Sequence, residues 1–281
     1  MSMNTISLTA GMRQNLFSLQ NTNTLMDRTA SRLSTGKKVQ SALDDPINFF
    51  AAQGHTQRAT DLAQRKDQMG EAIQTIKAAN NGIEAITDLI ASAKSLANSA
   101  ASIDVCTTVT SQNAMDRSAL ADQFNEVMNQ IDTLAADSGY KGINFLAGTS
   151  TTLSVEFDES GDSSLSITGF DASESGLSIT DASGAWNAAT DVSGDITKLD
   201  TARDTLRTKT KSLSNSLSTI TTRQDFTTKM INTLEDGATA LTNADMNEES
   251  ANMLMLQTRQ ALGTSSLSMA SQAAQSVLRL F

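Results

Sequence analysis

Ten apolar side chains, Met69, Ala72, Ile76, Ala79, Ile83, Ile86, Ile90, Ala93, Ala97 and Ala100, recur at alternating spacings of three and four with no polar member among them. Such a series falls on one stripe when the backbone is α-helical, so the chain is expected to contain a long amphipathic helix. Taken from about Asp67 to Ile103, that helix spans about 55 Å at 1.5 Å per residue. Its stripe needs partners, and the sequence supplies two. After the loop DVCTTVTSQN, Leu120, Phe124, Val127, Ile131 and Leu134 restart the rhythm and stop at Gly139, which makes a helix–loop–helix hairpin. From Ile196 a longer seam runs through Leu199, Arg203, Leu206, Thr210, Leu213, Leu217, Ile220, Gln224, Thr227, Ile231, Leu234, Ala238 and Leu241. Its four polar members predict contacts less dry than those of an autonomous coiled coil. This helix is expected to lie antiparallel to Asp67–Ile103.

The two ends of the chain carry the same spacing in a weaker form. Met12, Leu16, Leu19, Asn23, Met26, Ala30 and Leu33 define one stripe, on a helix expected from about Thr5 to Leu33 with Gly36 as its stop. Met253, Leu256, Gln260, Gly263, Leu267, Ala270, Ala274 and Val277 define the other, opened by the acids Asp245, Glu248 and Glu249. Polar Asn23 and Gln260 interrupt the seams, and Gly263 costs about 1 kcal/mol relative to Ala inside a helix. Each end is therefore marginal alone and needs a partner, which the other end offers. Arg13 is the only charge from Met1 to Met26, and Arg259 and Arg279 are the only charges from Ser250 to Phe281. Outer faces of Ser, Thr, Asn and Gln hydrogen-bond to neighbouring chains without the desolvation cost of ions, so the arms suit a packed assembly.

Between these helices lie shorter elements. Pro46 in LDDPINFF is expected to break helical continuity, with a short helix following from Phe50 to Arg65. Asp44 and Asp45 are read as a helix-start feature rather than a paired-carboxylate site. A period of two in Leu153, Val155 and Phe157, then in Leu165 and Ile167, across the turn-rich DESGDSS, predicts a β-hairpin. Leu177 to Ile179 is a further candidate strand, and Trp186 is expected to cap the small apolar cluster of this segment. No Lys or Arg occurs between Lys141 and Lys198, while Glu156, Asp158, Glu159, Asp162, Asp171, Glu174, Asp181, Asp191 and Asp195 supply nine negative charges.

Composition narrows the function classes. With 4% aromatic residues and a single Pro, the chain suits long helices and small-residue packing better than one thick core. A net charge of -10 argues against a nucleic-acid partner, whose phosphates demand Lys and Arg patches. The single Cys106 and single His55 leave no zinc set and no intramolecular disulfide, so neither a metal nor a cofactor is expected. Cys106 is read as a small unpaired residue in a loop, and His55 as a surface helix residue. The sequence predicts neither a Sec signal peptide nor membrane insertion.

Both ends resemble bacterial flagellin. LFSLQNTNTLMDRTASRLSTGKKVQSALDD, from Leu16 to Asp45, is similar to the family's N-terminal signature, with its Arg-Leu-Ser-x-Gly and Ser-Ala-x-Asp-Asp elements. ALGTSSLSMASQAAQSVLRLF is similar to the family's C-terminal block, and YKGINFLAG, from Tyr140 to Gly148, to its end-of-helix turn. Pro46 departs from the family, which more often has Ala there. The resemblance covers about three quarters of the chain and implies a mainly α fold. That fold is a long antiparallel helical rod or coiled coil built from both chain ends, with a small outer segment containing a β-hairpin.

On this reading residues 1–45 and 243–281 are the arms of an inner helical domain, 46–148 and 196–242 are the halves of a helical rod, and 149–195 is a variable acidic outer segment. The resemblance further implies a structural subunit that polymerises into the flagellar filament. Its subunit-assembly residues would be Met12, Leu16, Leu19, Asn23, Met26, Leu33, Met253, Leu256, Leu267, Ala270, Ala274, Val277 and Phe281. It implies other copies of the chain and sister flagellins as partners, together with an export chaperone, the filament cap and hook–filament junction proteins. It also implies secretion without cleavage through the flagellum's own type III apparatus to an extracellular filament.

Other readings have to be set against this one. A hook–filament junction protein resembles flagellin at its ends, but the closing block favours flagellin. An enzyme, such as a peptidase in the middle segment, finds no His-Glu-x-x-His helix and no nucleophile beside a His base. A soluble coiled-coil adaptor shares the periodicity but not the motifs.

Overall fold

A computed structural model of the chain describes residues 10–104 and 112–278. In chain order the elements are α1 (Ala10–Thr35), α2 (Pro46–Ala101), α3 (Gln112–Asp137), β1 (Thr152–Glu156), β2 (Ser164–Thr168), α4 (Ala189–Thr242) and α5 (Met246–Leu278). They form two compact units, one of Met1–Gln57 with Thr233–Phe281 and one of Arg58–Asn232.

In the second unit the ten-residue stripe of α2 is buried throughout, no member being more than 3% exposed. Helix α4 lies antiparallel to α2, as expected. Lys94 Nζ reaches both carboxylate oxygens of Asp200, at 2.6 and 2.8 Å, and Gln224 Nε2 donates to the Lys66 carbonyl at 3.4 Å. Leu199, Leu206, Leu213 and Ile220 of the α4 seam join the core. On α3 the buried stripe is Arg117, Ala121, Phe124, Met128, Ile131 and Ala135, with Leu120, Val127 and Leu134 half-buried beside it. The stripe is thus rotated from the sequence expectation, with Ala121, Met128 and Ala135 buried where Leu120, Val127 and Leu134 are half-buried. Tyr140 and Ile143 exchange both backbone hydrogen bonds at 2.9 Å across Lys141 and Gly142, whose φ of 49° and 82° are those of a tight hairpin turn.

Strands β1 and β2 pair antiparallel, with Leu153 opposite Ile167 and Val155 opposite Leu165. The alternation seats Val155 and Ile167 in the core, as their period of two predicts. Arg65 pairs with Glu156 at 2.6 Å and Arg58 with Glu159, so two helix cations hold the hairpin.

Several expectations fail here. The short helix Phe50–Arg65 and the long helix from Asp67 are one continuous α2, because nothing around Arg65, Lys66 and Asp67 breaks a helix. Pro46 starts α2 rather than interrupting it, since a first helical residue has no intrahelical use for an N–H. Asp45 caps that start, its Oδ1 accepting the Asn48 N–H at 3.1 Å. Asp44 instead closes the preceding loop. Its Oδ2 accepts the N–H groups of Gln40 and Ser41, which hold its carboxyl below the usual carboxylate range. Leu177 to Ile179 is a turn, not a strand. Leu177 N–H bonds to the Ser173 carbonyl and Ile179 N–H to that of Glu174, with Ser178 at φ 58°. The turn still buries Leu177 and Ile179.

The centre of the second unit is a polar lock with no sequence signature. Gly184, Ala185 and Trp186 turn left-handed, at φ of 55°, 50° and 55°. The turn drives Trp186 into the core, edge-on to Phe124 with ring centres 5.0 Å apart. Arg117, 2% exposed, donates to the carbonyls of Trp186, Ile103 and Ala188 at 2.7, 3.1 and 3.1 Å. Asp195 is equally buried. Its carboxylate accepts Trp186 Nε1 at 2.9 Å, the Ser183 N–H at 3.2 Å and Lys198 Nζ at 3.0 Å. Asp195 therefore does not belong to the outward acidic surface.

Candidate assembly surface

In the first unit the arms, poor in charge, fold on one another. Helices α1 and α5 run antiparallel. Asn15 Nδ2 donates to Ser266 Oγ at 3.3 Å, Gln260 Nε2 to Asn23 Oδ1 at 3.0 Å, and Arg32 pairs with Glu249 at 2.7 Å. The residues that weaken each seam are complementary across it. Asn23 meets Gln260, and Gly263 leaves room for Leu19, whose Cγ would stand 3.1 Å from a Cβ at that position. Gly36, at φ 68°, ends α1 by returning its N–H to the Arg32 carbonyl at 2.8 Å, the left-handed stop that glycine adopts without strain. The segment after it is tied down by Lys38 and Val39 N–H groups on the Thr242 carbonyl, at 2.7 and 3.2 Å, and by Ala244 N–H on the Gly36 carbonyl at 2.9 Å. Asp245 opens α5 by accepting the Asn247 N–H at 2.8 Å.

The assembly residues expected from the sequence sit largely along this intramolecular seam. Met12 and Leu256 are buried, Leu19, Met26, Leu33, Met253, Leu267, Ala270 and Ala274 half-buried, and Leu16 and Asn23 exposed. The Val277 side chain, Phe281 and Cys106 lie outside the described residues.

A second set of apolar residues is exposed, and all of it but Leu16 lies off the periodic stripes. Among the described residues, eleven of the thirteen exposed large apolar side chains belong to the first unit: Leu16, Phe17, Leu25, Leu43, Ile47, Phe50, Met246, Leu254, Met255, Leu262 and Met269. Leu43 is 96% exposed, Ile47 80% and Phe17 76%. Polar helix faces would carry charge at such positions. Here they carry Leu, Phe and Met, a signal readable as apolar residues off the stripe of a helix that lacks ions. Among the described residues no three His, Cys, Asp or Glu side chains are set to hold a metal, and no helix is long and apolar enough to cross a membrane.

The family profile described as bacterial flagellin N-terminal helical region matches residues 3–151, and that of the bacterial flagellin C-terminal helical region matches residues 194–281. The chain belongs to the bacterial flagellin family. It is 31% identical to flagellin FljM of Caulobacter vibrioides over 281 residues, covering 100% of both chains. It is 26% identical to a flagellin of Brucella melitensis over 276 residues, 95% of each. A putative flagellar hook-associated protein from Vibrio parahaemolyticus shares the fold at a TM-score of 0.57 and 10% identity, over 70% of this chain and 99% of that one. Flagellins are structural proteins that polymerise into the extracellular flagellar filament, and this chain is a filament subunit. The two family matches leave residues 152–193 between them, the stretch that holds the hairpin and the Trp186 turn.

Proposed function

We propose that this flagellin joins the filament through its first unit. The arms carrying α1 and α5 would stay disordered in the free monomer and become helical as neighbouring copies cover them. The observation that carries this reading is the concentration of exposed large apolar side chains on a unit whose arms are nearly free of charge. Burial by a neighbour supplies the stabilisation that a seam interrupted by Asn23, Gln260 and Gly263 lacks, so folding and assembly are coupled. A chain with disordered ends also suits passage through a narrow channel, and secretion by the flagellum's own type III apparatus follows from the same reading. An export chaperone, the filament cap and hook–filament junction proteins are its proposed further partners, with sister flagellins as co-subunits.

The test is truncation of Gln272 to Phe281. The shortened subunit is expected to keep the helical signal of the second unit and to fail to polymerise on filament seeds. Normal elongation by it would refute the reading, as would slow amide exchange in Leu16–Leu33 and Leu254–Val277 of the free monomer.

A further inference from the structure

The hairpin of the second unit has a free edge, and its register tells which backbone groups stand there. Phe157 N–H donates to the Ser163 carbonyl and Gly169 N–H to that of Thr151, both at 2.8 Å, so the bonded pairs of the ladder fall on the odd-numbered residues of β1. Hydrogen bonding alternates along an antiparallel strand. The N–H and C=O groups of Thr152, Ser154 and Glu156 therefore point away from β2, and among the described residues no hydrogen bond reaches them. Exposed edges are ordinarily blunted by Lys, by Pro, by a bulge or by a covering element. From Thr152 to Phe157 there is no Lys, Pro or Gly, and the one charge, Glu156, is already held by Arg65 at 2.6 Å.

The edge borders a cleft of about 400 Å³ between β1 and α2. Leu153 and Val155 line it together with Ser154 and Glu156, and no residue of β2 does. Side chains of one strand face show one parity only, so a lining of both parities is a strand's edge. Ala72 and Thr75 of α2 form the opposite wall, where their short side chains leave room, and Ile143 of the tight turn lines the remainder. The ions at the cleft are matched, Arg65 with Glu156 at 2.6 Å and Lys141 with Glu71 at 2.8 Å.

We propose that this edge accepts an extended, uncharged strand of another protein, added beside β1 as the third strand of the sheet. Main-chain bonds to Thr152, Ser154 and Glu156 supply the attachment, as in other cases of strand addition. Neighbouring strands sit about 4.8 Å apart and advance about 3.3 Å per residue, so five residues cover the edge over about 17 Å. The lining fixes the chemistry of the partner. Since both ion pairs are matched, a charge on the added strand would stand unpaired. Its inward side chains meet Ala72 and Ile143 and are small and apolar, while the alternate ones follow Ser154 into water and are hydroxylic. A second copy of this chain fits poorly. Among the described residues its free strand edges belong to a folded hairpin, whose turn carries Asp158, Glu159 and Asp162 and is repelled by the same acids here.

The test uses the full-length, unpolymerised subunit, isotope-labelled and titrated with the acetylated and amidated pentapeptide Thr-Val-Thr-Val-Thr. The Ser154 and Glu156 amides are expected to shift and, at saturation, to exchange with water about tenfold more slowly, whereas Leu153 and Val155, already bonded to β2, change little. Absence of a saturable Ser154 shift up to about 10 mM peptide would overturn the proposal. Ser154→Pro deletes only an outward N–H, a substitution that edge strands tolerate, and is expected to weaken binding about tenfold. Undiminished binding by that variant would count against the edge. Methylated peptides cover the case of a hairpin loosened by the proline. One carries methyl groups on the backbone nitrogens of its second and fourth residues, the other on those of its third and fifth. Only one of the two is expected to bind, because alternate nitrogens face β1, and equal affinities would overturn the pairing. A dimer of the unsubstituted subunit that forms without peptide and is lost in Ser154→Pro would assign the edge to a second copy and overturn the choice of partner.

Discussion

Arg117→Ala should show that the left-handed turn at Trp186 is held from outside rather than by its own preference. The guanidinium donates to three carbonyls, at 2.7, 3.1 and 3.1 Å, in a site 2% exposed to water. Hydrogen bonds to a charged group contribute about 1.5–3 kcal/mol each, which would give about 4.5–9 kcal/mol for three. Part of this is offset because the variant no longer buries a cation, a cost of several kcal/mol, so a net loss of about 3–5 kcal/mol is expected. Trp186 is the only Trp in the chain, so its fluorescence reports the turn while far-UV circular dichroism reports the helices. With a guanidinium slope of about 4 kcal/mol/M, the fluorescence midpoint should fall by about 1 M. The reasoning fails if the midpoint falls by less than about 0.25 M, which at that slope is about 1 kcal/mol. It also fails if Arg117→Ala leaves the Trp186 emission of the folded protein unchanged, because the ring should gain water once its backbone is released.

Burial, followed by the nearby charges of Asp181 and Asp132, raises the Glu174 carboxyl above its ordinary range, so its ionised form opposes folding at neutral pH and that opposition fades as pH falls through the raised folded value. Glu174→Gln should therefore be more stable than the unsubstituted chain at pH 7, with the gap in urea midpoint closing as the solution is acidified; a constant gap would contradict the assignment. A Cβ at Gly169 would stand 2.8 Å from the Gly148 carbonyl oxygen and 2.9 Å from that of Phe145. Gly169→Ala should thus cost about 2 kcal/mol or more, read as a lowered thermal midpoint, since backbone neighbours yield less readily than side chains. Met255 and Met269 are exposed. Peroxide should convert both to sulfoxide and slow elongation of seeded filaments, and unchanged elongation after mass spectrometry confirms oxidation would place both methionines outside the proposed assembly surface.

What the sequence made legible follows the physics of each element. The α2 stripe is visible because an apolar series with one period has one structural solution, and all ten of its members are buried. The same logic finds α4 and the hairpin. It misses the join between Arg65 and Asp67, because a cluster of charges resembles a linker although a helix tolerates it on a solvent face. It misplaces Leu177–Ile179 because two buried apolar residues two apart fit a turn as well as a strand. Arg117 and Asp195 were beyond it, since composition counts a charged residue as solvated and only the turn between them removes the water. Exposed Phe17, Leu262 and Met269 escaped for a related reason: a stripe search looks for what one helix face buries, and these lie on the other face.

The defects of the two terminal seams are better understood as devices for register. An antiparallel pair of apolar helices can slide by a heptad with little loss, because one Leu replaces another. Here a slide would separate Asn23 from Gln260, now 3.0 Å apart, and set each amide against an apolar neighbour. It would also move Leu19 away from the only position, Gly263, where α5 has no side chain to resist it. Arg32 and Glu249, at 2.7 Å, mark the same alignment near the other end of the pair. The polar residues thus lower the stability of each arm while penalising every alignment but one. In a polymer that selectivity is propagated, since a subunit whose α1 and α5 were out of register would present its outer apolar residues at the wrong height to the next copy.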